Sequence, residues 1–336
     1  MNIWQRYRLR GRRKLLRYRA FRKRRQIKPV TDRLEDIGKD AILLVAVLRN
    51  EMTLLPHFMR YYRDLGIDHF LMVDNGSDDG SLAYLSVQPD VTLWSTKKSY
   101  KAARYGLDWV NWILMRHARR HWVLVVDIDE FFVYPFCDTR PIRALTDWLD
   151  VNDVPAFPAM VLDMYPKGGV SDLTYEPGTN PFEIADHFDG GNYAISRNAL
   201  YGNLWIQGGP RARAMFADDP VKAPSLNKIP LVKWRWPYAF ASSTHMLLPR
   251  GLNGVYDDLG GERASGCLLH AKFLSTLPAK VAEELERREH FADSREYAAY
   301  ATALDEDLNL WTRWSEKYVN WRQLEILGLM SKGNWA

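Results

Sequence analysis

The chain has 336 residues, 47% hydrophobic and 26% charged, enough for a sizeable core and too apolar for wholesale disorder or a collagen-like repeat. Two cysteines, Cys137 and Cys267, exclude a disulfide framework, no CxxC or CxxH spacing offers a zinc site, and a reducing compartment is the natural reading. The net charge of +5 is split: residues 1–28 hold 13 Arg and Lys without one acid, which leaves the other 308 at a formal −8.

In chain order that basic segment comes first. Trp4, Tyr7, Leu15 and Tyr18, with Gly11 between, recur at three- and four-residue steps, which predicts a helix with a rough aromatic stripe among arginines. Such an arm suits an anionic membrane surface. A solvated arm and RNA binding are the competing readings, nucleic acid being the less expected partner. Thirteen cations should not fold back onto a core that lacks apolar room for them. Pro29 ends the segment. The longest apolar run, Ala41–Leu48, has eight residues against the ~20 of a membrane helix, so no transmembrane segment is expected. No apolar stretch backs the basic N-terminus as a secretory signal requires. The expected location is cytoplasmic, peripheral on the inner face of the cytoplasmic membrane.

Ala41–Leu48 (AILLVAVL) reads as a strand buried on both faces. Helical spacing follows from Glu51 to Leu65, stopped by Gly66. His69–Val73 is a second strand, running into the turn formers Asp74–Ser81. Val91–Trp94 is a third strand, Lys101–Ala118 a long helix, and Trp122–Val126 a fourth, strongly apolar strand. This alternation predicts βαβ units and a mostly parallel sheet flanked by helices. Ligands bind outside the carboxyl ends of such strands. The loops at Asn50-Glu51, Asp74–Ser81 and Asp127–Glu130 therefore share the chemically interesting edge.

Asp127 and Asp129 are separated by one residue after a buried strand, and residues i and i+2 of extended chain point to one side. Two carboxylates there form a hard oxygen site for Mg²⁺ or Mn²⁺, which bridges a nucleotide's phosphates. The plain alternative is a polar turn. Phe131-Phe132 wall the acids into an apolar setting, where an isolated pair is costly without a cation.

Together, AILLVAVLRNE (41–51), FLMVDNGSDDGS (70–81) and WVLVVDIDEFF (122–132) resemble the successive motifs of glycosyltransferase family two and its GT-A-fold relatives. Looser pieces resemble the bacterial family-two-like branch: Gly208–Phe216, Lys228–Trp234, Ser243–His245 and Leu268–Leu274. The resemblance implies a GT-A, Rossmann-like α/β domain over 40–275, with a nucleotide-sugar half at 40–135 and an acceptor half at 151–275. The basic arm (1–28) precedes it and helices at 278–326 follow. It implies a metal-dependent, inverting transfer from a UDP- or GDP-linked sugar to a glycan or lipid-linked acceptor. Asp74 would then meet the nucleotide base, Asn50 and Glu51 line its pocket, and Asp127 lie toward the ribose. Asp127 and Asp129 would hold Mn²⁺ or Mg²⁺ with His270, for which His245 competes. Arg104 and Arg211 are candidates for the diphosphate.

An inverting enzyme also needs a carboxylate base for the acceptor hydroxyl. No ED pair stands at the expected place, which leaves Asp163, Asp218, Asp219, Asp257 and Asp258 open. Trp205, Trp234, Trp236 and Tyr238 are either core or sugar platforms. Trp311, Trp314 and Trp321 are expected on one helical face. The rival readings are a nucleotidyltransferase, although 48–52 is not a glycine-rich phosphate loop, and a non-catalytic membrane or RNA binder acting through residues 1–28.

Overall fold

The computed structural model describes residues 2–170, 172, 174–256, 263–289 and 291–335. Helix α1 (Ile3–Lys23) and strand β1 (Lys28–Thr31) open the chain. Then β2 (Ile42–Leu48), α2 (Leu55–Leu65), β3 (His69–Asp74), α3 (Ser81–Ser86), β4 (Val91–Ser95), α4 (Leu107–His117) and β5 (Trp122–Val125) alternate as expected. They are followed by β6 (Glu130–Val133), α5 (Ile142–Val151), β7 (Ala156–Asp163), β8 (His187–Asp189), β9 (Ala194–Arg197), β10 (Leu204–Gln207), α6 (Gly209–Met215) and β11 (Asn227–Lys233). The last elements are β12 (Ala239–Ser242), β13 (Met246–Leu248), β14 (Gly266–His270), α7 (Leu277–Arg287), α8 (Phe291–Asp305), β15 (Ser315–Lys317) and α9 (Trp321–Ile326).

Nine strands share one sheet in the order β1-β4-β3-β2-β5-β11-β7-β14-β6. β2, β3, β4, β5, β7 and β14 point one way, and β1, β11 and β6 oppose them. The architecture is the expected α/β one, a mostly parallel sheet between helices. Alternation along β2 explains the layering. Ile42, Leu44, Ala46 and Leu48 pack with Leu55, Phe58, Met59 and Tyr62 of α2. Leu43 and Val45 face the other way, onto Leu107, Val110, Ile113 and Leu114 of α4. Gly66, at φ 101°, ends α2 in the left-handed conformation that glycine adopts without strain.

Three expectations need correction. The basic segment is a helix, but it does not stand free. Leu9 and Leu16 are buried against Tyr201, Ala239, Ala241, Met246 and Leu248, and Arg19 pairs at 3.1 Å with Asp108, which is buried on α4. The apolar room came from β12 and β13. Residues 101–106 are not helical: Arg104, Tyr105 and Gly106 all have positive φ, and α4 starts at Leu107. The C-terminal pattern is likewise interrupted, because β15 pairs with β8 between α8 and α9. Trp321 is therefore buried while Trp314 is exposed, and the tryptophans do not share a helical face. Trp234 and Tyr238 are core, whereas Trp236 is exposed. Among the described residues no helix is long and apolar enough to cross a membrane.

β14 lies between β7 and β6, and its first residue allows no side chain. A Cβ on Gly266 would come within 2.5 Å of the Val133 carbonyl oxygen and 3.1 Å of the Phe132 ring. Gly266→Ala is expected to cost roughly 1–3 kcal/mol, the scale of an overpacked core. Thermal denaturation of the purified variant checks this.

Candidate active site

The strand-end loops expected to share one edge do so, and they surround a cavity of about 280 Å³. Two of them are laced together. The Asn50 N–H donates to Ser77 Oγ (3.0 Å), Glu51 N–H to Ser81 Oγ (3.1 Å) and Met52 N–H to Asp79 Oδ2 (2.8 Å), while Asn50 Oδ1 accepts from Asp78 N–H (3.0 Å). Much of the DNGSDDGS motif thus holds the β2 loop in place. Asn50, at φ 52°, and Glu51 line the cavity as expected. Asp74 does not. It is wholly buried, and its carboxylate accepts from the N–H groups of Gly76 (2.9 Å) and Ser77 (3.2 Å). In this structure it shapes the loop, and its neighbour Asn75 reaches the cavity wall.

Asp127 and Asp129 both line the cavity, but through a turn closed by the Glu130 N–H on the Asp127 carbonyl (3.1 Å) and not through the extended chain expected. Asp127, with 56% of its side chain exposed, pairs with Lys228 Nζ at 2.9 Å, and Lys228 also bonds Glu130. Burial opposes the lysine's charge, but Asp127 and Glu130 outweigh it and hold its pKa above the ordinary value. On the other side Asp129 Oδ2 lies 3.2 Å from His270 Nε2. His270 Nδ1 lies 2.6 Å from Asp163 Oδ1, and Arg211 Nε donates to Asp163 Oδ2 at 2.7 Å. Burial again opposes the imidazolium, yet Asp129 and Asp163 raise its pKa to about 9. Asp163 is pushed up by burial and pulled down further by Arg211 and His270, to about 2. Arg211, Asp163, His270 and Asp129 thus form a line of alternating charge at the base of the cavity. Pairing in the sheet creates it, since His270 is the register partner of Asp163 on β7 and of Glu130 on β6.

These contacts sort the expected residues. Asp127, Asp129, His270 and Arg211 meet at the cavity. Arg104 is turned away, toward Asp108 (3.6 Å) and the Ala241 carbonyl, because the left-handed turn at 104–106 reverses its direction. Asp163 has both oxygens engaged and is poorly placed as an acceptor base. Asp218 and Asp219 do not line the cavity, and Asp219 pairs with Lys222 at 2.7 Å. Asp257 and Asp258 lie outside the described residues. His245 lines the cavity with Nδ1 2.5 Å from the Asn227 carbonyl, and burial together with Lys228 pushes its pKa down to about 4.

Sequence reasoning missed the wall formed by α7. Lys280 bonds Glu51 at 2.6 Å, and Glu283 receives Arg49 Nε at 2.8 Å and Asn50 Nδ2 at 3.1 Å. Burial lifts Glu51 to about 7 against the pull of Lys280.

Over 105 residues the chain is 25% identical to a glycosyltransferase family 92 protein of Arabidopsis thaliana, covering 29% of this chain and 17% of that protein. It thus spans about a sixth of that relative's length. No protein-family model matches the chain. Among solved structures, HddC from Yersinia pseudotuberculosis shares 8% identity at a TM-score of 0.28, over 64% of this chain and 79% of that one. UDP-glucose pyrophosphorylase from Acinetobacter baumanii shares 11% at a TM-score of 0.25, over 80% and 83%. At such scores neither likeness bears on fold or function. The sequence similarity is to a glycosyltransferase.

The donor set for a divalent ion is small. Asp129 and His270 offer a carboxylate oxygen and an imidazole nitrogen toward each other, and Asp163 fixes the ring from behind, as a carboxylate commonly does for a metal-binding histidine. Among the described residues no group of three or more His, Cys, Asp or Glu is gathered as a metal cage. Both nitrogens of His270 are engaged, and Asp127 is paired with Lys228, so an ion here would have to displace a proton from His270 and share its coordination with a bound ligand.

Asp163→Ala should strand Arg211 and His270 without their shared counter-ion. Breaking such a buried pair costs about 3–5 kcal/mol. Urea denaturation should show that loss, with Asp163→Asn retaining part of the stability through its remaining hydrogen bonds.

Proposed function

We propose that the chain is a glycosyltransferase of the family-two-like, GT-A type, carrying a sugar from a nucleoside-diphosphate sugar to a glycan or lipid-linked acceptor. One observation carries this reading: Asp127, Asp129, His270 and Lys228 converge beside the β2 loop at the carboxyl edge of the sheet. The similarity to a glycosyltransferase supports it.

Glycosyl transfer breaks the bond between the anomeric carbon and the diphosphate through an oxocarbenium-like state. Negative charge gathers on the departing nucleoside diphosphate. When bound, Mn²⁺ or Mg²⁺ held by Asp127, Asp129 and His270 would supply Lewis-acid stabilisation of that charge. The protein's own groups act in the same direction. Lys228 is a cation fixed by Asp127 and Glu130 and needs no reorganisation at the moment of bond breaking. Lys280 and Arg287 face the same space from α7, where phosphate oxygens can replace their carboxylate partners. In this reading Asn50, Glu51 and Asn75 line the nucleotide's side, and Asp74 acts through the loop it folds.

Assays with UDP- and GDP-sugars plus Mn²⁺ should show release of the nucleoside diphosphate. Asp129→Asn should lower that release at least about 100-fold, the scale of losing one group that stabilises developing charge, while circular dichroism at the assay temperature shows the variant still folded. Suppose instead that pyrophosphate is released from a nucleoside triphosphate and a sugar 1-phosphate, and no donor yields a nucleoside diphosphate. The chain is then a nucleotidyltransferase.

A further inference from the structure

α1 has two apolar faces, and the fold uses one. At 100° per residue, Leu9, Leu16 and Ala20 form the buried face that packs on the body. Trp4, Tyr7, Leu15 and Tyr18 fall within about 40° of a common line on nearly the opposite side. All four are exposed, Trp4 at 78%. A helix that needed only to dock would carry polar groups there.

The charge around this stripe is one-sided as well. Among the described residues, Arg19 is the only cation of residues 1–28 in an ion pair. Other elements extend the pattern. Between α1 and α4 lies an open groove lined by Lys14, Arg17, Arg116 and Arg119 with the rings of Trp112 and Trp236, and among the described residues no carboxylate borders it. The Arg17 guanidinium lies 3.7 Å from the centre of the Trp236 ring, which is itself half exposed. Cations and interfacial aromatics from three segments thus share one side of the molecule.

We infer that the outward face of α1, with the α1–α4 groove, docks on an anionic lipid bilayer. The α1–α4 groove offers rings and cations that a nucleic-acid strand would also use, so the choice of a bilayer rests on the stripe: it runs along the outward face of one helix and includes an aliphatic side chain, which suits the headgroup–acyl boundary. Tryptophan and tyrosine settle at that boundary, and unpaired arginines find lipid phosphates beside them. The helix is tied to the body by packing and by charge. Arg19 binds Asp108 and reaches the Ala102 carbonyl at 3.5 Å, in the loop whose Tyr100 borders the cavity. A docked bilayer therefore holds a fixed relation to the cavity mouth, whatever reaction the cavity performs.

Co-sedimentation of the full chain with phosphatidylglycerol-containing vesicles tests this. Binding should greatly exceed that to pure phosphatidylcholine and should fall as salt rises from about 50 to 500 mM, over which the Debye length shrinks about threefold. The variant Trp4→Ala/Tyr7→Ala/Leu15→Ala/Tyr18→Ala keeps the docked face and a strong helix former at each site. It should bind at least tenfold more weakly with an unchanged melting temperature. Arg116→Gln/Arg119→Gln should weaken binding and flatten its salt dependence. The inference is overturned if the full chain ignores anionic vesicles at low salt, if the four-alanine variant binds like the parent, or if single-stranded RNA strips the protein from vesicles.

Discussion

Four charges in a row, Arg211, Asp163, His270 and Asp129, govern how the cavity can be built. Each is costly to remove from water, and each is tolerable here because its neighbour carries the opposite sign within hydrogen-bond reach. The arrangement is rigid for a topological reason. Asp163 and His270 are register partners on parallel strands, so backbone hydrogen bonds fix their separation. Lys228, with Asp127 and Glu130, forms a second charged cluster beside the first. Cavity edge and protein core are consequently one structure. A change in either cluster acts on stability and on the cavity together.

The sheet was legible in the sequence because double-sided burial leaves a blunt signature. AILLVAVL and WVLVV admit little but buried strands, and the acids after them had to mark the strand ends. The charged partners were harder to see. Lys228 sits in an apolar strand, where a single lysine reads as an edge residue; its burial follows from β11 running antiparallel between β5 and β7. Lys280 and Glu283 lie on an amphipathic helix whose charged face reads as solvated, and only tertiary packing turns it over the cavity. Asp74 and Arg104 show a different limit. The motif around Asp74 was recognisable, but much of it is internal hydrogen bonding. Arg104 lies in a segment whose composition looks helical and whose backbone contains three successive left-handed residues.

The α7 wall bears on how the cavity receives a ligand. Its links to the β2 loop are carboxylates on Lys280 and Arg49, both partly open to water. An incoming polyanion competes with those carboxylates for the same cations, so entry exchanges partners and does not create new charge. Such exchange suits a cavity whose ligand comes and goes.

Strand β1 has a role of its own. It pairs with β4 and becomes the outermost strand on that side of the sheet, with Lys28 and Pro29 at its start. Proline lacks an N–H and lysine resists burial, so the strand presents a poor template to a neighbouring chain. The segment that brings in the arginine-rich helix thereby also guards the sheet against edge-to-edge association. Trimming the chain behind residue 31 as if it were a disposable tail would bare β4, and self-assembly would be the first symptom.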